Sequence, residues 1–349
     1  LRRQLDRLQD RGMRFLSGLE VEFYITRRTS SRIGLDEIAQ PPRTPEVDVF
    51  QHGYQYLSEV RLDSRLDTIN ALRDGLEGVG LLPRSMEDEW GPGQMEFSFS
   101  PREGLGSADA MILFRSAIKQ LCGRQGLQAS FMCWPALPQF FASGWHLHDC
   151  LLDRTGANLF ASATDVLSPA GGSYLAGVLE HARAMAAFAT PTINGYRRFR
   201  PYSFAPDRVT WAVENRGALV RVQGGPGDSG THLENRLGEP AANPYLYMAA
   251  DIAAGLDGLD RKLSPPPPAS SNPYEDDVPL LPTSMSQALT ALSSDETYRE
   301  QFGSGFVDYY IMMKKFELDR FEQAVSASAP AEREAAEHDW EMREYFEFF

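Results

Sequence analysis

Apolar and polar residues alternate in several short stretches of this 349-residue chain, with the two-residue period of a β-strand. In LEVEF, Glu20 and Glu22 share one face while Val21 and Phe23 take the other. Gln94 and Glu96 stand in the same way against Met95 and Phe97, and His146 and His148 against Trp145 and Leu147. So do His232, Glu234 and Arg236 against Leu233 and Leu237. Each strand therefore offers one apolar face for a core and one ionisable face. Elsewhere the period lengthens, predicting helices over 66–79, 108–122, 174–188 and 244–263. An opening helix aligns Leu1, Leu5 and Leu8 and stops at Gly12. Ser107 is expected to cap the helix over 108–122, and Asn243 followed by Pro244 is a strong start signal for the helix after it. Beyond the proline run 265–268, further helices are predicted over 284–292, 306–325 and 330–345. The strands are not regularly separated by single helices, which disfavours a doubly wound sheet. The expected class is α+β: a large curved, mainly antiparallel sheet with flanking helices and a helical C-terminal part. Residues 1–263 would supply the sheet and its helices, and 264–349 the helical region.

Composition narrows the function. A formal charge of -14 argues against a nucleic-acid or anionic membrane surface, so local arginine clusters need local purposes. No apolar stretch approaches the ~20 residues of a membrane helix, and LRRQLDRLQDRG is too charged for a signal peptide, so a cytoplasmic protein is expected. Cys122, Cys133 and Cys150 are odd in number and lack CxxC spacing, which indicates neither a disulfide framework nor a zinc knuckle. The chain opens on Leu inside an amphipathic pattern, and an upstream segment is expected to be missing.

The ionisable faces carry the chemistry. Gly91, Pro92 and Gly93 make a tight turn that returns Glu89 beside Gln94 and Glu96. A sheet face holding Glu20, Glu22, Glu89, Glu96 and Glu234 would repel itself unless cations neutralised it, and His146 adds an imidazole suited to a metal. The plain alternatives are a solvated edge strand for LEVEF and an ordinary polar hairpin for EWGPGQMEF. Arginines follow in INGYRRFRP (Arg197, Arg198, Arg200), VENRGALVRV (Arg216, Arg221) and HLENR (Arg236). Their planar forks match carboxylate and phosphate oxygens, although Arg197 and Arg200 would equally serve to neutralise surface acids. Metal-type ligands beside separate arginine anchors describe a site for a nucleoside triphosphate, divalent cations and a carboxylate substrate. No Walker-type loop occurs, and GGPGDSG at 224–230 reads as a flexible turn.

In order and wording these motifs resemble the glutamine synthetase family along almost the whole chain, from Glu20 through ANPYLYMAADIAAGLDGL to WEMREYFEFF. The resemblance implies an ATP-dependent ligase with two Mg or Mn ions per site. Glu22, Glu89 and Glu96 would hold the ion facing the amino-acid carboxylate, and Glu20, His146 and Glu234 the one facing the ATP phosphates. Asp88 is the competitor for the role of Glu89. Arg198 and Arg236 correspond to substrate anchors, Arg216 and Arg221 to phosphate-side arginines, and His148 to a residue near the nucleotide, with Arg216 and Glu22 in the catalytic role. ATP would phosphorylate the γ-carboxyl of glutamate or a related acid, and an amine would displace phosphate from the acyl phosphate. Family members form homo-oligomeric rings, here expected to be dodecameric, in which a neighbour's N-terminal β-grasp domain completes each site. By the same resemblance that domain is expected to be missing from the present sequence.

Three departures bear on substrates. The family's flap glutamate, which in ammonia-using members helps bind ammonium, is matched by Phe204 in RPYSFAP. The Asn-Gly of the family's NGSG loop is matched by Phe141 and Ala142, and the first arginine of its RxExR motif by His232. A phenyl ring in place of a carboxylate suits an alkyl or aryl amine better than ammonia, so a γ-glutamyl-amine ligase is preferred to a true glutamine synthetase. A non-catalytic structural relative is the alternative of another class, disfavoured because it would have no reason to keep a repulsive carboxylate cluster. A guanidino kinase would need a reactive cysteine in a setting that only Cys150 approaches.

Overall fold

The structure, a computed structural model, describes residues 1–30, 32–35 and 38–349. Its centre is a ten-stranded sheet built on one long strand. The strands are β1 (Arg14–Arg28), β2 (Val47–Val49), β3 (Pro83–Asp88), β4 (Gln94–Phe99), β5 (Arg102–Glu103), β6 (Leu127–Ser130), β7 (Trp145–Leu152), β8 (Trp211–Val213), β9 (Val220–Gln223) and β10 (His232–Gly238). Their order is β3-β4-β1-β7-β10-β9-β8, with β2, β5 and β6 also paired to β1. All pairings are antiparallel except β8 with β9. The expected mainly antiparallel α+β sheet is therefore present.

Alternation sorts the faces as the pattern required. Val21, Phe23, Met95, Phe97, Trp145, Leu147, Leu233 and Leu237 are all buried. They pack against helices, which are α1 (Arg2–Asp10), α2 (Glu59–Asp63), α3 (Leu66–Gly78), α4 (Gly106–Arg124), α5 (Pro169–Ala189), α6 (Pro244–Arg261), α7 (Met285–Ser294), α8 (Glu296–Phe302), α9 (Ser304–Val325) and α10 (Arg333–Glu341). Phe23 stacks on Phe131 at 5.0 Å and meets Phe97 and the α4 residue Phe114 edge-on, at 5.2 and 5.7 Å. Each such ring contributes about 1.5–3 kcal/mol by leaving water. Helices α5 and α6 cross so closely that a Cβ on Gly177 would lie 2.1 Å from the carbonyl oxygen of Ala254.

Helix ends show where local signals competed. Asn243 caps α6 as expected, accepting from the amides of Tyr245 and Leu246 at 3.0 and 3.3 Å, and the helix ends at Arg261 with Lys262 left-handed. Ser107 does not cap α4. The helix starts at Gly106, and the Ser107 hydroxyl donates to the carbonyl of Ser17 at 2.6 Å, tying α4 to β1. Helix α5 begins five residues before the expected 174, because Ser168 accepts from the amide of Gly171 and Pro169 takes the first helical position. Helices α2 and α8 were not anticipated. Residues 342–346 continue α10 as a wider π-helical turn. Buried Glu341 at that junction pairs with Arg197 and accepts from Asn194 Nδ2 at 2.6 Å, docking the terminal helix beside the loop that leads to Arg198. Among the described residues no helix is long and apolar enough to cross a membrane.

Candidate active site

The ladders set the polar residues in rows across one face. Glu22 lies opposite Glu96 on β4, which lies opposite Glu87 on β3. Glu20 lies opposite His146 on β7, and His148 opposite Glu234 on β10, which in turn faces Arg221 on β9. This face forms one wall of a cavity of about 850 Å³ lined also by Glu87, Glu89, Trp90, Phe141, Phe204, Arg216 and Arg236.

Glu20 sits between both imidazoles, 2.6 Å from His146 Nδ1 and 3.0 Å from His148 Nε2. Glu234 accepts from Arg221 Nη1 at 3.0 Å and Gln223 Nε2 at 2.8 Å, and also pairs with Arg236. Glu22 accepts from the amide of Gly144 at 2.9 Å and from Gln94 Nε2 at 3.3 Å. Gly144 has a steric reason, since a Cβ there would lie 2.9 Å from both His146 Nε2 and Arg198 Nη2. Glu89 accepts from the amide of Trp90 at 3.1 Å. Asp88 is not its competitor: it is buried on the opposite face against Gln51, as alternation on β3 demands. Arg216 lines the cavity and donates to Tyr56 at 3.3 Å. Arg198, 2% exposed, stands behind the wall, its Nη1 donating to the carbonyls of Arg236 and Leu237 at 3.2 and 2.9 Å. Sequence reasoning missed Glu87, which alternation from Glu89 would have found, and Gln223, whose partner is set only by cross-strand register.

The electrostatics divide the face. Burial works against charge on Glu20 and Glu234, yet His146 and His148 hold the Glu20 carboxyl well below its usual range, and Arg236 with His146 holds Glu234 down at about 2. On the other side burial, with the charge of Glu89, pushes Glu22 up to about 8, and burial pushes Glu89 up to about 7. Burial together with Glu20 pushes Glu96 up to about 10. The imidazoles of His146 and His232 are both pushed down by burial, in His146 against the pull of Glu20. Imidazoles and arginines thus satisfy one half of the cluster, and Glu22, Glu89 and Glu96 are left in a crowded, buried carboxyl group. Oxygen donors crowded in this way fit divalent cations. Among the described residues two groups bring ligand atoms within 4.8 Å of one another: Glu20, Glu96 and His146, and Glu20, His148 and Glu234. The buried Nε of Arg236, which lines the cavity, has no acceptor in the protein, as a donor reserved for an anionic substrate would.

At the cavity mouth the rings of Phe204 and Phe141 lie 5.9 and 6.3 Å from that of Trp90, which also meets Tyr54 at 5.3 Å. Phe204 and Tyr202 both have positive φ, +65° and +59°. Their loop is held by Arg236, which donates to the Phe204 carbonyl at 3.3 Å, and by Tyr274, which donates to the Ala205 carbonyl at 3.0 Å and packs on Tyr202.

An acidic sheet face whose oxygen and imidazole donors fit cations, lined also by Arg216 and Arg236, suits phosphoryl transfer onto a carboxylate, the chemistry of an ATP-dependent acid–amine ligase. The chain belongs to the glutamine synthetase family: the family model for the glutamine synthetase catalytic domain matches residues 1–333. It is 44% identical to the gamma-glutamylanilide synthase of an Acinetobacter species, over 99% of this chain and 70% of that protein. It is 32% identical to the glutamine synthetase of Thermococcus kodakarensis (99% and 76%) and to the gamma-glutamylethanolamide synthetase GlnA4 of Streptomyces coelicolor (99% and 70%). A solved structure of GmaS in complex with ADP superposes with a TM-score of 0.79 at 27% identity, covering 96% of this chain and 75% of that one. As a member of this family the chain is a ligase acting on small molecules with ATP and a divalent metal.

Proposed function

We propose that the protein joins the γ-carboxyl of glutamate to a primary amine carrying a flat apolar group, of which aniline is the simplest representative. The observation that carries this reading is the Trp90, Phe141 and Phe204 wall, which replaces a carboxylate by rings at the amine entrance. Ammonium would meet no negative partner from Phe204, whereas an aryl ring buries its faces against the wall. The names of the 44% and 32% identical relatives, an anilide synthase and an ethanolamide synthetase, point to amines larger than ammonia.

Two divalent cations, Mg or Mn, would be held by Glu22, Glu89 and Glu96 and by Glu20, His146 and Glu234, and when bound they supply charge neutralisation on the transferring phosphoryl group. Arg216 and Arg221 orient the triphosphate, and Arg236 holds the amino acid, steadied from behind by Arg198. A γ-carboxylate oxygen attacks the terminal phosphorus, and ADP leaves. The amine nitrogen then attacks the acyl carbon, phosphate departs with the C–O electron pair, and the nitrogen passes one proton to the departing phosphate. Phe204, Trp90 and Phe141 shield the acyl phosphate from water between the two steps. We further propose that the enzyme works in the cytoplasm as a homo-oligomeric ring. Tyr309, Met312, Met313 and Phe316 on α9 are exposed, an apolar strip that suits burial against another copy.

The test is ADP release from ATP and glutamate with aniline, ammonia or no amine. Phosphate release only with both acid and amine, with kcat/KM for aniline above that for ammonia, is expected. Equal kcat/KM for the two would return the chain to a glutamate–ammonia ligase.

A further inference from the structure

Glu20, His148 and His232 form a hydrogen-bonded line that ends on a backbone carbonyl. His148 Nε2 stands 3.0 Å from Glu20 Oε2, His148 Nδ1 stands 3.1 Å from His232 Nε2, and His232 Nδ1 stands 2.7 Å from the carbonyl oxygen of Gly230. That carbonyl is held in place by its turn: the amide of Gly230 donates to Asp228 Oδ1 at 2.7 Å, and Asn158 Nδ2 donates to the flanking carbonyls of Ser229 and Thr231 at 2.9 and 2.6 Å. The segment 224–230, read from sequence as a flexible turn, thus has a defined partner.

The line has a direction. A carbonyl oxygen only accepts, so the hydrogen of the last contact belongs to His232 Nδ1. A neutral His232 then presents a lone pair at Nε2, and the hydrogen between the rings belongs to His148 Nδ1. The remaining lone pair of His148, at Nε2, faces the Glu20 carboxylate. Two electron-rich groups 3.0 Å apart repel unless a positive charge joins them: a proton on Nε2 does so in the cation-free protein, and a divalent cation would displace it while the hydrogen on His148 Nδ1 stays directed at His232. Glu20, His148 and Glu234 are also one of the groups whose ligand atoms lie within 4.8 Å of one another.

We propose that His232 is a positioning residue: it fixes His148 in the tautomer that turns the Nε2 lone pair toward the divalent cation that Glu20, His146 and Glu234 would hold. An arginine at 232 could not do this, because a guanidinium only donates and would leave His148 Nδ1 without an acceptor. The substitution therefore exchanges a direct cationic contact for control of a neighbouring ligand. Outer partners of metal-bound imidazoles act in this way, setting ring orientation and basicity. The inference rests on the reading of this face as a cation site.

The test is a Mn2+ titration followed by the electron paramagnetic resonance signal of free Mn2+, on the parent chain and on H232Q, H232L, H148A and the H148A/H232L double variant. H232L is expected to weaken Mn2+ binding about tenfold or more. H232Q, whose amide oxygen accepts in place of Nε2, should stay close to the parent. In the H148A background H232L should change nothing further. An unchanged affinity in H232L, an equal loss in H232Q and H232L, or the same loss with and without His148 would each overturn the proposal. Failure of the parent chain itself to bind Mn2+ would remove the cation reading and this inference with it, whereas binding without any effect of His232 removes the inference alone.

Discussion

Glu22 and Glu96 lie directly opposite each other in the β1–β4 ladder, two carboxylates in register at a position where like charges are destabilising. Burial with the charge of Glu89 pushes Glu22 up to about 8, and burial with the charges of Glu20 and Glu22 pushes Glu96 up to about 10. A carboxyl whose folded pKa is raised contributes most below its unfolded value, near 4.3, and that contribution is lost as pH rises through the folded value. Without metal, stability should therefore fall steadily from about pH 4.5 toward pH 8 and beyond. Bound cations reverse the sign by favouring the ionised pair. Thermal unfolding at several pH values, in chelator and with excess Mn2+, should show the Mn2+ stabilisation widening from pH 5 to pH 8. A constant difference would mean that the pair is not what the cation neutralises.

Removing one of these charges should separate stability from function. Glu96→Gln keeps the shape but ends the repulsion, so the metal-free protein should gain about 1 kcal/mol. The same change deletes a cation ligand, and ligase turnover should fall by at least about a hundredfold. Denaturant unfolding in chelator and ADP release with glutamate and aniline would report the two effects. A variant less stable than the parent in chelator would contradict the repulsive reading.

Phe204 allows a similar separation at the amine entrance. Its φ of +65° is strained for a residue with a Cβ, and the residue is 66% exposed, so Phe204→Gly should cost no stability. The ring's loss opens the wall beside Trp90, and the KM for aniline should rise about tenfold while that for glutamate holds. Unchanged aniline kinetics would show that the ring does not touch the amine.

The faces of the strands were legible because alternation is a local property. Once Glu20 and Glu22 share a side with Val21 and Phe23 opposed, packing the apolar side leaves no other arrangement. Asn243 and Pro244 likewise determined the start of α6, since both act on the first turn alone. What the chain could not announce was register. That Glu20 would lie between His146 and His148, or that Gln223 would meet Glu234, depends on how β1, β7, β9 and β10 slide against one another. Ser107 misled because its hydroxyl had a better acceptor on β1 than on its own helix. The short helix α8 owes its place to Tyr298, fully buried against α6, and not to any period of its own. Arg198 matches a substrate anchor by resemblance, and the structure adds that the carbonyls of Arg236 and Leu237 hold its guanidinium, a backbone contact that motif spacing does not encode.

Away from the site, His181 on α5 is clamped between carboxylates of α6 and of the turn before α8. Its Nδ1 lies 2.7 Å from Asp295 and its Nε2 3.0 Å from Asp257, which also accepts from Arg261 at 2.8 Å. Burial opposes the charged imidazole, but the two carboxylates prevail and raise it above its ordinary value. The clamp's contribution is therefore complete below the unfolded pKa near 6.5 and is lost as pH rises through the folded value. Asp295 also caps α8 by accepting from the Tyr298 amide at 2.9 Å, so loosening the clamp loosens the helix start. His181→Gln should cost about 2 kcal/mol at pH 6, and less at a pH above the folded value, where the parent imidazole is neutral and donates to only one of its two carboxylates. Urea unfolding of parent and variant at pH 6 and pH 9.5 checks this, and a gap that failed to narrow would show that the clamp acts through shape and not through charge.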